Sequence, residues 1–216
     1  MRVPTFLARP SKLVNCEACA AAVREQLYGK EEPESPEALR ERRLGECGIP
    51  DLGRWRRELA WNLGEVRDWV WHRRYRKSLW LSCRQSGIGK TLGCYDVAQE
   101  LALEGEDVMW IDCVQWFRET CMMLASDPEG AEERIRRAKR CSLLILDEVG
   151  KQSATTRSLE ILWDVIDART RVLRRRTWLT TNLDGEGLAR FVGVQFETVR
   201  RRLQDHFEPW TPREDV

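Results

Sequence analysis

From Leu79 onward, short and wholly apolar runs alternate with longer segments whose apolar residues return every three or four positions. That alternation builds a parallel sheet from strand and helix units. Residues 79–82 predict a first strand, and residues 90–104, with apolar Leu92, Val97, Leu101 and Leu103, the helix that follows it. A second strand is expected over 107–113, with its partner helix over 114–125. Asp127-Pro128-Glu129-Gly130 reads as a break before a charged amphipathic helix, 131–140. The third strand is 143–146, four uninterrupted apolar residues that suit a parallel strand buried on both faces. A helix over 158–173 leads to a fourth strand, 177–182, and a short last strand is expected near 207–210. The fold class is therefore α/β, a parallel sheet with helices on both faces.

Ahead of this pattern the sequence changes character. Residues 9–43 are mostly polar and predict two short helical stretches joined by an exposed linker, Glu31-Glu32-Pro33-Glu34-Ser35-Pro36. Residues 53–77 hold eight Lys or Arg against three acids, interleaved with Trp55, Trp61, Trp69, Trp71 and Tyr75. Such a mixture binds single-stranded nucleic acid when rings stack on bases and cations track phosphates. The spacing of Trp61, Val66, Trp69 and Val70 also gives one apolar helix face packed on the sheet, with arginines toward solvent, and this packing role is the favoured reading.

The chain of 216 residues is long enough for one substantial core and a short amino-terminal appendage. Its 36 basic and 35 acidic residues leave a net charge of +1, so attraction to nucleic acid must come from local patches. Eight cysteines at irregular spacing, no signal peptide and no apolar run long enough to cross a bilayer point to a reducing, cytoplasmic setting and to no membrane partner. Cys94, Cys113, Cys121 and Cys141 fall in or beside apolar patterns and read as small buried thiols. Cys16 and Cys19 have the spacing of a zinc hairpin, but a structural site needs four ligands. Only Cys47 and His72 are further candidates, so a metal-free pair is favoured over zinc.

The chemistry is carried by the loop between the first strand and its helix, Ser82-Cys83-Arg84-Gln85-Ser86-Gly87-Ile88-Gly89-Lys90-Thr91. Gly87 and Gly89 let the backbone turn so that N–H groups of Ser86 through Leu92 face one anion. Lys90 can reach the outer phosphates of a nucleoside triphosphate, and the Thr91 hydroxyl can hold a magnesium ion. The full pattern has glycine where Arg84 stands. At the end of the third strand, Asp147 and Glu148 follow Leu143-Leu144-Ile145-Leu146, at the carboxyl edge where such sheets present ligand-binding groups. Asp147 faces the magnesium in this reading and Glu148 polarises an attacking water. Asn182, ending the fourth strand, falls where an amide can orient that water and sense the γ-phosphate.

Taken in order, these motifs resemble the AAA+ ATPases of the DnaC/IstB type, helicase loaders and transposition helper ATPases. The resemblance runs from about Gly48 to Phe207 and includes Gly48-Ile49-Pro50, Gly87-Ile88-Gly89-Lys90-Thr91, Leu146-Asp147-Glu148-Val149-Gly150, Ile166-Asp167-Ala168-Arg169, Leu179-Thr180-Thr181-Asn182 and Arg200-Arg201-Arg202-Leu203. It implies a partner-binding region and linker over 1–47 and an ATPase domain over 48–216. It also implies ATP and Mg2+ as ligands, assembly into a homo-oligomer on DNA, and a replicative helicase or a transposase as client. Arg202, with Arg201 next, matches the arginine that acts on a neighbouring subunit's γ-phosphate; Arg169 matches a basic position at the subunit interface. In this family DNA is met by groups facing the central channel, which here implies Lys151, Arg157 and basic residues of 134–140. Only about ten residues follow His206, too few for a helical lid. Two other readings stay open: a small-molecule P-loop kinase, and an adaptor that binds nucleotide without hydrolysing it, which Arg84 makes plausible.

Overall fold

The computed structural model describes residues 35–50, 63–75, 77–152, 155–193, 196–210 and 212. It divides at Arg40 and Glu41 into an amino-terminal unit and a unit covering Glu41–Val216. Cys16, Cys19, Trp55 and Trp61 lie outside the described residues, and among the described residues no group of three or more His, Cys, Asp or Glu side chains could hold a metal ion.

The strands are β1 (Ser78–Ser82), β2 (Val108–Asp112), β3 (Leu143–Asp147), β4 (Arg176–Thr181) and β5 (Phe207–Trp210). They form one parallel sheet in the order β2-β3-β4-β1-β5. The α-helices are α1 (Pro36–Glu46), α2 (Leu63–Arg73), α3 (Lys90–Leu103), α4 (Cys113–Ser126), α5 (Pro128–Arg140), α6 (Thr156–Asp167), α7 (Gly185–Val192) and α8 (Phe196–His206). The continuous apolar run of β3 has a direct cause. Leu143 and Ile145 enter one core with α2 and α3, while Leu144 and Leu146 enter another with α4 and α6. All four are at most 1% exposed, and burial of each contributes about 2 kcal/mol.

Strand positions follow the sequence pattern to within a residue, and β5 is where it was expected. The departures lie at helix ends. Asp127-Pro128-Glu129-Gly130 starts α5 instead of breaking the chain: the Asp127 carboxylate accepts from the Gly130 N–H at 3.0 Å, and Pro128 fills the first turn, where its missing N–H costs nothing. The helix expected over 158–173 is α6 followed by a π-helical turn, Ala168–Val172. Within this turn Arg169 points inward. Its guanidinium is fully buried and donates to the carbonyls of Ala138, Lys139, Cys141 and Arg176 and to Thr177 Oγ1, tying the end of α5 to the start of β4. The interface role implied for Arg169 is thereby corrected: the side chain is buried and each of its guanidinium nitrogens donates inside the subunit.

The favoured packing role of the tryptophan-rich stretch is found in α2. Val66 and Val70 are buried and Trp69 and Trp71 lie partly buried against the same core, while Arg67, Arg73 and Arg74 are half-buried, with Arg73 over the Trp69 ring and Arg74 over the Trp71 ring. Its close partner is α3 more than the sheet. A methyl group on Gly93 would come within 2.6 Å of Val66 Cγ1, and one on Gly89 within 2.9 Å of Leu63 Cα. The cysteines behave as expected of thiols in a core: Cys94, Cys113 and Cys141 are buried, Cys121 is partly so, and all are free.

Candidate functional site

The strand order explains how three distant sequence segments meet. β4 lies between β1 and β3, with Ser82 level with Thr181 and Leu146 level with Leu179. Parallel strands place the ends of all three at one rim, so the loop after β1, the acidic pair after β3 and Asn182 after β4 converge there.

In the loop, Gly87 and Gly89 have φ of 79° and 99°, conformations that cost other residues about 1 kcal/mol or more. Arg84 does not share that demand; among the described residues only Glu148 and Arg174 have positive φ without being glycine. Its side chain is exposed and ion-paired with Asp184, beyond Asn182, so the departure from the glycine pattern joins the loop to the turn after β4. The N–H of Gly187, and after it the Arg84 guanidinium, hold the Asp184 carboxyl below its usual range. Lys90 opens α3 and is only 7% exposed. Its ammonium donates to the carbonyls of Cys83 and Gln85, both at 3.1 Å, so the cation is already folded into the loop's concavity. Burial pushes its pKa down.

Thr91 Oγ1 donates to Asp147 Oδ1 at 2.9 Å, the contact that joins the loop to β3. Thr180 Oγ1 donates to the same carboxylate oxygen at 2.5 Å and accepts from the Glu148 N–H at 3.0 Å. Asp147 is 8% exposed with hydroxyls, and no cation, as its hydrogen-bond partners; burial pushes its pKa up to about 6, against the pull of the two hydroxyls. A desolvated carboxylate beside a hydroxyl is a donor set suited to a hard divalent cation. Asp147 and Thr91 therefore fit a magnesium ion.

Sequence reasoning passed over the residues that hold this rim in place. Besides Thr180, Thr181 Oγ1 donates to the Val149 carbonyl at 2.7 Å and accepts from the Leu183 N–H at 3.0 Å, and Ser82 Oγ donates to the Leu183 carbonyl at 2.7 Å. Gly150, φ 97°, lets the Leu183 side chain approach so closely that a Cβ would lie 2.3 Å from its Cδ1. These contacts fix the turn carrying Glu148, whose own φ is 60°. The partial signal in the sequence was two threonines just before Asn182, at the end of the strand expected to bring that amide to the same rim. Lys151, noted only as a DNA candidate, forms an ion pair with Glu148.

The arginines near the end of the chain divide into two kinds. Arg202 Nε donates to Asp167 Oδ1 at 3.1 Å and its side chain is 20% exposed. Arg201 is 79% exposed, with Asp205 at 3.6 Å one turn on. Of the two, Arg201 is the one presented to solvent.

No protein-family model matches this sequence, and no curated protein matches it. Solved structures do. The chain resembles the structure of DnaI with a TM-score of 0.52 and 20% identity, over 68% of this chain and 80% of that one. It resembles the DnaC helicase loader with a TM-score of 0.54 and 18% identity, over 67% and 84%. The replication initiator DnaA, bound to AMPPCP and single-stranded DNA, gives 0.52 and 15%, over 68% of this chain and 45% of DnaA. The chain shares the fold of these structures. In this fold β4 lies between the loop strand and the acidic strand, and the described residues contain no helix long and apolar enough to cross a membrane.

Proposed function

We propose that this chain binds and hydrolyses ATP, assembles on DNA and loads or remodels a replicative helicase. The observation that carries the reading is the shared carboxylate oxygen of Asp147, met by the Thr91 hydroxyl from the phosphate loop and the Thr180 hydroxyl from β4. It draws three segments to one point with a lysine buried beside it. The likeness to a helicase loader and to a DNA-bound initiator supports the choice of client.

When bound, magnesium supplies charge neutralisation on the phosphates, with Thr91 and Asp147 as its protein ligands. The loop's N–H groups from Ser86 through Leu92 bind the phosphates, and Lys90 exchanges its two carbonyl acceptors for phosphate oxygens. Glu148 orients and takes a proton from the attacking water, which requires it to leave Lys151. Asn182 holds that water in line. A guanidinium from a neighbouring copy, Arg201 before Arg202, stabilises charge on the transferring phosphoryl group and makes turnover depend on assembly.

ATP turnover measured with and without single-stranded DNA, at rising protein concentration, tests this. A specific activity that climbs with concentration and with DNA is expected, and Lys90→Ala should abolish it. Turnover that needs a small phosphate acceptor instead would make the chain a kinase; nucleotide binding without turnover would make it an adaptor.

A further inference from the structure

The amino ends of β1 and β4 lie on the sheet edge opposite the phosphate loop, and there a second cleft, about 550 Å3, opens between Lys77, the turn at Arg174 and Arg175, and the end of α8. Its charge is unbalanced. Five of the eight residues from 169 to 176 are arginine. Arg176 is paired with Glu106, and Lys77 shares Glu208 with Arg73. Asp205, the one carboxylate among the described lining residues, faces Arg201. Arg174 and Arg175 are exposed, and among the described residues their side chains have no hydrogen-bond or ion-pair partner. The floor adds to this, because buried Arg169 spends its donors on neutral acceptors and so leaves a positive charge beneath the cleft.

Arg174 also sits at φ 47°, at the end of the π-helical turn, where a glycine would be the unstrained choice. The chain keeps a cation there despite the strain. Arg176, which also lines the cleft, lies over the half-exposed Tyr75 ring at 5.7 Å, with Arg74 over the same ring at 4.6 Å, and the Tyr75 hydroxyl donates to Glu104 at 2.8 Å. Free guanidinium forks over this positive floor match the closely spaced phosphates of a nucleic-acid backbone, each of which can accept a fork through two oxygens.

We infer that this cleft is a binding site for the phosphate backbone of single-stranded nucleic acid, gripped by Arg174, Arg175 and Lys77 on the edge of the sheet away from the ATP site. The inference rests on the proposed DNA association for the choice of polyanion and is independent of hydrolysis.

Fluorescence anisotropy of a labelled oligothymidylate with the full chain tests it. In an R174E/R175E double variant, affinity should fall at least tenfold. The slope of log K against log salt should become shallower by about 1.4, the counterion release of two lost contacts to a single strand. Binding of a fluorescent ATP analogue and the thermal midpoint should stay as in the unaltered chain. Arg174→Gly, which removes the cation and the unfavourable φ together, should bind the oligonucleotide more weakly while melting no lower. Unaltered affinity and salt slope in the double variant would overturn the inference, as would failure of the unaltered chain to bind oligothymidylate at low salt. So would equal competition by polyglutamate at matched ionic strength. If binding is lost instead in a Lys151→Ala/Arg157→Ala variant, the nucleic acid lies at the nucleotide rim, which sinks this cleft and leaves the proposed ATP-driven function standing.

Discussion

The ammonium of Lys151 is paired with the carboxylate of Glu148 across the turn that follows β3. The proposed water-polarising group is thus held by a cation three residues away on the same exposed turn. Solvent screening makes such a pair worth roughly 0.2–1 kcal/mol, a small brake that another cation's ligand can release. Lys151→Ala should therefore raise turnover of the protein alone by roughly 1.4- to fivefold, that energy expressed as a rate. Glu148→Gln should keep nucleotide binding and lower turnover at least about 100-fold. Steady-state phosphate release from both variants checks the pair of expectations; a Lys151→Ala protein as slow as the unaltered chain would show that the contact restrains nothing.

Asp147 carries a cost that the cation removes. Burial raises its carboxyl from 3.8 to about 6, so the folded state holds the proton more tightly than the unfolded state does. The resulting penalty is full above pH 6 and disappears as pH falls through 6 toward 3.8. Without metal, Asp147→Asn should stabilise the protein by about 2 kcal/mol at pH 8, since the amide oxygen still accepts from Thr91 and Thr180, and the melting temperature should rise by roughly 5 °C. At pH 5 the two proteins should differ much less. Magnesium-dependent nucleotide binding should weaken in the unaltered chain below pH 6. Melting curves of both proteins at the two pH values, without metal, decide it.

The sheet was legible because each strand is a short apolar run between turn-forming residues, and burial on both faces requires that pattern. That the loop carrying Lys90 and Thr91 meets Asp147 at one rim was legible because residue type, spacing and strand position are constrained together there. What escaped was set by tertiary neighbours. Asp127-Pro128 marks a break or a helix start equally well until Gly130 is seen donating to Asp127. Arg169 was expected at a subunit interface, and only the meeting of α5 and β4 supplies the carbonyls that bury it. Thr180 and Thr181 looked like β-branched strand residues; which acid they would meet depends on strand order, which adjacency in sequence does not give.

The crossing of α2 over α3 depends on Gly93. Alanine there gains helix propensity worth up to about 1 kcal/mol, yet its Cβ would lie 2.6 Å from Val66 Cγ1 and 3.1 Å from the backbone nitrogen of Arg67. Overpacking against backbone costs about 1–3 kcal/mol, so the clash wins. Gly93→Ala should lower stability by about 1–2 kcal/mol, read from the urea midpoint. Adding Val66→Ala to it should cost less than Val66→Ala costs the unaltered chain, because the shorter side chain makes room for the new methyl.

Arg201 and Arg202 are adjacent in sequence and differ in what holds them. Arg202 is bound to Asp167 in a mostly buried pair linking α8 to α6, whereas Arg201 extends into solvent. A cation that must reach a neighbouring subunit cannot also be an internal strut without breaking the strut first. Arg202→Ala should then destabilise the fold by about 1–2 kcal/mol, lowering the melting temperature by roughly 3–6 °C. Arg201→Ala should leave the melting temperature within about 2 °C and remove the climb of specific activity with concentration, a loss of at least about 100-fold at saturation. Mixing Arg201→Ala subunits with Lys90→Ala subunits separates a trans role from a local one. The first kind has an intact nucleotide site and the second an intact arginine, so mixed assemblies should regain turnover that neither protein has alone. No recovery on mixing, with Arg202→Ala inactive but fully stable, would transfer the trans role to Arg202.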